Sequence, residues 1–230
     1  MAAGAGARGG LGRVAGGRDA GGEKDGKDGE DGEDGVVHRV FLLSPAHCGG
    51  KRASYLLNER ATFDLARRLR APTGVTLGEA FSFVSGLYFR GKLAYSGKFA
   101  HAPAGLPGAQ VITTNRGLLP PETSVRLPDL REFGAVDIRA DDPRYRAPVD
   151  RDLVPLAMPG LEVVLLGSVA TGKYVDVLLE ALGERLIFPI EFLGRGDMSR
   201  GALLLRAVRE ERELQYAPVA SIPRRTTATR

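Results

Sequence analysis

The residues able to do chemistry cluster in four loops rich in glycine and charge. Ser44, Lys51 and Arg52 lie in SPAHCGGKR (44–52), and Asn115, Arg116 and Gly117 lie in TNRGLLPPE (114–122). Gly167 and Lys173 bound GSVATGK (167–173). Glu191, Arg195 and Asp197 lie in EFLGRGD (191–197), with Arg200 just beyond. Lysine and arginine hold phosphate or carboxylate, and an asparagine amide reads a base edge. A carboxylate at a strand end beside arginines acts as a base, a magnesium ligand or a ligand anchor. Glu191 and Asp197 are therefore the acid/base candidates. Ser44, Lys51, Arg52, Asn115, Arg116, Gly117, Gly167, Lys173, Arg195 and Arg200 form the candidate phosphate-binding set.

GSVATGK has the most recognisable spacing. It fits G-x-x-x-x-G-K between a strand and a helix, where backbone N–H groups and a helix N-terminus cradle phosphate. Tyr174 stands where a nucleotide-hydrolysing loop has Ser or Thr for magnesium. The motif also falls late, so a full NTPase core would need strands from upstream. A generic anion site built on Lys173 and a tight glycine turn are the other two readings. In the first loop, Lys51 and Arg52 open a helix, where cations work against the helix dipole. A bound phosphate would reward that placement. His47 and Cys48 are adjacent, rarely face each other, and lack an orienting third group, so they are not read as a nucleophilic pair. In the fourth loop Asp197 or Ser199 caps a helix, with Arg200 again a cation in a first turn.

Each loop follows a short apolar run, at 37–43, 110–113, 161–166 and 185–190. These runs read as strands buried on both faces, and helical segments separate them. Helices are expected at 51–70, from 77, at 148–158, at 172–182 with Gly183 as cap, and at 198–212. Thr76 and Glu79 form a capping box for the second. Leu77, Ala80, Phe81, Val84, Leu87 and Tyr88 then lie on one face. Gly86 and Gly91 weaken that helix, and 91–100 reads as its frayed end or a loop. The stretch 118–146 reads as a long Pro-rich loop, and 213–219 as an edge strand. Strands alternating with helices predict one Rossmann-like, three-layer α/β/α domain over 36–220, with a four-stranded, mostly parallel sheet. Its four loops then share one sheet edge, where open α/β folds bind ligands.

Residues 1–35 carry five Lys/Arg against eight Asp/Glu in a glycine background, while the whole chain is +4. That segment has almost nothing to bury and reads as a disordered acidic tail. Its Asp/Gly spacing lacks the flanking helices of a calcium loop. The remainder is basic, which suits a polyanionic partner. Residues 221–230 read as a flexible basic tail. Neither a secretory signal nor a run of about 20 apolar residues is present, so a cytoplasmic, non-membrane protein is expected. With one Cys and three His, no dedicated metal site is expected, although carboxylate-bound magnesium fits.

Three segments carry a family resemblance. LLSPAHCGGKRA (42–53) resembles the SPAK-type strand-end opening of the YaaA peroxide-stress proteins. LGEAFSFVSGLYFRG (77–91) resembles their A-F-x-G-x-x-Y segment. VITTNRGLLPPETSV (111–125) resembles their strand followed by Y/H-G-L-L-x-P. Gly117, Leu118, Leu119 and Pro121 match there, and Asn115-Arg116 replaces the aromatic or histidine. The second half is similar to the core of archaeosine synthases, through 163–167, Lys173-Tyr174, Pro189 and 194–201. The resemblance implies a uracil-DNA-glycosylase-like fold and a role in nucleic-acid maintenance or base modification. It carries over no active site. The Pro-Cys-Ser motif of the synthases is replaced by Ser44-Pro45-Ala46-His47-Cys48, and the glycosylase Asp/His pattern is not visible. The expected ligand is a nucleic acid or nucleotide, with chemistry on a base or glycosidic bond as an option. An enzyme of small phosphorylated metabolites or NTP using GSVATGK, and a non-catalytic partner of a nucleic-acid enzyme, are the alternatives.

Overall fold

Val40 to Leu43 are completely buried and point alternately to two separate hydrophobic clusters. A strand buried on both faces needs helices above and below it, and this chain supplies them. The computed structural model describes residues 37–169 and 172–222. The two tails read from the sequence, apart from Ser221 and Ile222, lie outside these residues, as do Ala170 and Thr171 of GSVATGK.

Among the described residues eight strands form in chain order. They are β1 (His38–Leu43), β2 (Val75–Thr76), β3 (Ala109–Ile112), β4 (Leu118–Leu119), β5 (Ser124–Val125), β6 (Leu161–Leu166), β7 (Leu186–Pro189) and β8 (Tyr216–Pro218). The helices are α1 (Lys51–Leu57), α2 (Asp64–Arg70), α3 (Leu77–Ser85), α4 (Leu87–Phe99), α5 (Leu127–Ala135), α6 (Pro143–Leu153), α7 (Gly172–Leu182) and α8 (Asp197–Arg209).

The main sheet has six strands in the order β4-β3-β1-β6-β7-β8. The expected four are its parallel centre, β3-β1-β6-β7. The four-strand count is corrected by β4 and β8, which add antiparallel to the two edges. β8 lies in the edge strand expected at 213–219, β4 is too short to show a hydrophobic period, and both cover backbone that edge strands would otherwise expose. A separate ribbon pairs β2 with β5.

The chain winds outward from β1 in two directions. The segment leaving β1 packs on one face, where α1, α3, α4, α5 and α8 bury Leu56, Phe81, Phe89, Phe133 and Leu204 with Phe41 and Leu43. The segment leaving β6 crosses to the other face, where α6 and α7 bury Tyr145, Val149, Val175 and Leu178 with Val40 and Leu42. Between β1 and β6 the connections part, which opens a crevice at the carboxyl ends of the strands.

Local signals explain most of the rest. Thr76 Oγ1 accepts from Glu79 N (3.1 Å) and Glu79 Oε2 from Thr76 N (3.0 Å), the expected capping box of α3, worth ~1 kcal/mol. The helix expected over 51–70 is two helices. Asn58 Oδ1 takes the Arg60 N–H at 2.9 Å, and this side-chain turn breaks the run. Segment 91–100 is not loop but the body of α4. Gly86, at φ +66°, separates α3 from α4. Gly91 and Gly201 let α4 and α8 touch, since a Cβ on Gly201 would lie 2.8 Å from the backbone of Leu87 and Tyr88. The long segment 118–146 holds β4, β5 and α5, and Pro143 starts α6 five residues before the expected boundary.

Candidate functional site at the strand-end crevice

The β1–β6 ladder continues one step past the strands, where Ser44 N donates to Leu166 O at 3.2 Å. Ser44 and Gly167 therefore meet at the floor of the crevice, and a Cβ on Gly167 would sit 2.9 Å from Ser44 Cβ. A cavity of about 630 Å³ opens above them. Ligand pockets commonly enclose roughly 300–1,000 Å³. The first loop and α1 form one wall, from Ser44 to Ala53. Phe81, Tyr88 and Lys92 come from α3 and α4, Phe133 and Asp137 from α5 and its end, and Ser168, Lys173, Tyr174 and Asp197 also line it.

The most unusual group is Lys92, which is 1% exposed. Its Nζ donates to Ser44 O at 2.9 Å and lies 2.6 Å from Ser44 Oγ. It sits 4.1 Å from the centroid of the Tyr88 ring and 5.4 Å from that of Phe89. Its pKa is lowered to about 7. Burial is the main cause, and Arg200 adds to it while Asp197 opposes it. An ammonium stripped of water without a carboxylate in contact is costly, so the amine sheds its proton instead.

Two tyrosines frame this pair. Tyr174 Oη accepts from Ser168 N at 2.9 Å, donates to Ser168 O at 3.0 Å, and is within hydrogen-bonding reach of Ser44. It also fills the space over Gly167, whose added Cβ would lie 2.6 Å from Oη. Tyr88 Oη is buried near Arg200 but makes no hydrogen bond of normal geometry among the described residues. Burial raises the pKa of both phenols, so both keep their protons.

Of the residues singled out in the sequence, Ser44, Lys51, Arg52, Lys173 and Asp197 border the cavity. Lys51, Arg52 and Lys173 are exposed at its mouth and form no ion pair among the described residues. Gly167 belongs to the floor through its close approach to Ser44. The others lie outside the cavity lining, and most are engaged by the protein itself. Arg116 donates to Asp129 (2.7 Å) and Glu132 (2.6 Å) and covers Phe133. Gly117, at φ +71°, packs against Asp152, whose Oδ2 accepts from Leu118 N. Asn115 does not line the cavity, although its neighbour Thr114 does. Arg195 donates to Glu191 O and Ser199 Oγ, and Arg200 donates to Phe192 O. Glu191 Oε1 accepts from Gln215 N at 3.2 Å, on the far side of β7 from the crevice lining. Asp197 alone of the two acid/base candidates reaches the cavity.

No family model, curated protein or solved structure matches the chain.

The arrangement itself indicates the chemistry available. Asp137 and Asp197 face the cavity, but among the described residues no three His, Cys, Asp or Glu side chains converge to hold a metal. No helix among them is long and apolar enough to cross a membrane. Ser168 N–H, a donor a phosphate loop would offer, is taken by Tyr174. Lys92 was not singled out from the sequence, and Tyr88 was read only as part of an apolar helix face. Tyr88, Lys92, Tyr95 and Phe99 recur at i, i+4, i+7 and i+11, all buried, so a lysine on an apolar stripe was the available signal.

Proposed function

We propose that the crevice binds a nucleotide unit of a nucleic acid, with phosphate held by Lys51, Arg52 and Lys173 at the mouth and the base or sugar lowered toward Ser44. One observation carries this reading. Three cations free of ion pairs among the described residues converge on a cavity of nucleotide size at the switch point, whereas Arg116 and Arg200 of neighbouring loops are spent on the protein itself. Unpaired lysine and arginine at a cavity mouth attract a polyanion. The resemblance of segments 42–53, 77–91 and 111–125 to YaaA-type proteins supports the same class, and with it a uracil-DNA-glycosylase-like fold. A half-buried, unbridged Cys48 fits a reducing compartment such as the cytoplasm.

The test is fluorescence anisotropy of the full chain with labelled single- and double-stranded DNA, RNA and an ATP analogue, each at low and moderate salt. The reading expects binding to a nucleic acid that weakens steeply with salt. Tight, salt-tolerant binding of the ATP analogue alone would replace it with a small-metabolite site. Absence of binding to all four would refute both.

A further inference from the structure

The nucleotide reading uses the mouth of the crevice and leaves its floor unexplained. There, Ser44 is 8% exposed and faces the cavity, while Lys92 lies directly behind it at 1%. Among the described residues no carboxylate contacts the lysine, whose Nζ donates to Ser44 O and lies 2.6 Å from Ser44 Oγ. A lysine needed only for packing would be replaced without loss by an apolar side chain, because an unpaired buried amine destabilises the fold. We propose that Ser44 and Lys92 are a nucleophile and its general base, acting on a carboxylic ester whose alcohol side carries phosphate.

The geometry supports each role. Nucleophile and base must lie within roughly 2.6–3.2 Å, and Ser44 Oγ and Lys92 Nζ are 2.6 Å apart. The neutral amine offers its lone pair to the Ser44 hydroxyl while one N–H stays on Ser44 O. Near neutral pH a substantial fraction of Lys92 is already in that form, since its pKa lies at about 7. The groups facing it are Ser44 from the loop after β1, Tyr88 from its own helix, Tyr174 from α7 by way of Ser44, and Asp197 and Arg200 from α8. Tyr88 keeps its proton and borders the cavity, and its buried hydroxyl, beside Arg200, makes no hydrogen bond of normal geometry among the described residues, which leaves its O–H as a donor for a developing oxyanion.

The step balances within these groups. Ser44 Oγ bonds to the carbonyl carbon as its proton passes to Lys92 Nζ. The tetrahedral oxyanion collapses, the bond to the alcohol oxygen breaks, and that oxygen takes the proton from the Lys92 ammonium. Water then repeats the sequence on acyl-Ser44, releasing the acid and restoring the serine. An uncharged ester is favoured over a phosphoryl centre at the floor. A phosphate beside Lys92 would stabilise its ammonium and remove the base. The phosphate requirement rests on the nucleotide reading, whereas the serine–lysine pair does not.

The test therefore reads the serine directly. The full chain is treated with a fluorophosphonate, which Ser44 would attack at phosphorus with loss of fluoride. In parallel it is treated with p-nitrophenyl acetate. Intact mass and peptide mapping locate each adduct. We expect both a phosphonate and an acetyl adduct on Ser44, with a labelling rate that rises with pH through about 7. Lys92→Met should slow labelling by about 10²-fold or more, with folding checked by circular dichroism. No adduct on wild-type Ser44, or a rate indifferent to Lys92, overturns the proposal. A phosphonate adduct without an acetyl adduct overturns the choice of an ester. Nucleic-acid binding without labelling sinks this inference alone, and labelling without nucleic-acid binding sinks the nucleotide reading alone.

Discussion

Replacing Lys92 by methionine should stabilise the protein, and the gain should depend on pH. In the unfolded chain the amine titrates near its ordinary 10.5, and in the fold at about 7. Between those values the unfolded state binds more protons than the native state, so wild-type stability rises with pH across that window. Below about pH 7 both states are protonated and the penalty levels off at its full size. Above about 10.5 neither is, and the penalty vanishes. The difference of pKa corresponds to about 5 kcal/mol when complete, or ~1.4 kcal/mol per pH unit inside the window. Methionine fills similar volume without a charge. It gives up the hydrogen bonds to Ser44, each ~1 kcal/mol, but that loss does not vary with pH in the same way. Urea unfolding of both proteins, followed by circular dichroism, measures the gap. From about pH 7.5 to about pH 9.5 the advantage of the variant should shrink by about 3 kcal/mol. Contributions from Cys48 and the tyrosines are common to both proteins and cancel in the difference. A gap that stays constant, or grows with pH, would show that Lys92 is an ordinary charged lysine and would refute the reasoning.

Other consequences are simpler. Gly201→Ala should cost about 1–3 kcal/mol, because its methyl meets the backbone of α4 rather than a movable side chain. Gly97→Ala, in the same helix α4 with open space around it, should instead gain about 1 kcal/mol in chemical denaturation. Tyr88→Phe removes a buried hydroxyl that makes no hydrogen bond of normal geometry among the described residues, so its melting temperature should not fall, while labelling of Ser44 should slow. Burial holds the Cys48 thiol up at about 11, so iodoacetamide at neutral pH should modify native protein far more slowly than urea-unfolded protein.

The central architecture was legible because it depends on continuous apolar runs. Segments 38–43 and 161–166 are buried on both faces and could hardly be anything but inner strands. The Thr76–Glu79 box and the amphipathic α7 were equally clear, since each is a local pattern. The edge strand β4 was not, whereas β8 falls within the edge strand expected at 213–219. β4 has two residues and β8 three, and each forms only because a neighbour's open edge accepts it. The break at Asn58 and the continuity of α4 turn on tertiary detail. Three glycines in the 86–97 region lower helix propensity, yet Gly91 is there for contact with α8. For the site, the shared sheet edge located the crevice, but loop chemistry alone ranked its residues poorly. Arg116 looked as available as Lys51 until Asp129 and Glu132 were seen to hold it, and Glu191 until the fold placed it outside the cavity lining. Lys92 escaped notice because a lysine reads as solvent-facing unless its helix is known to be buried around it.

The most direct measurement of the central claim is the salt dependence of nucleic-acid binding in two forms of the full chain. One is wild type, and the other carries Lys51→Ala, Arg52→Ala and Lys173→Ala together. If these three side chains hold phosphates at the crevice mouth, the slope of log affinity against log salt should fall by about 2–3 in the variant, near 0.7–0.9 per contact. An Arg195→Ala control, outside the cavity lining, should keep the wild-type slope. Equal slopes in wild type and the triple variant would contradict the account and move the binding surface away from the crevice.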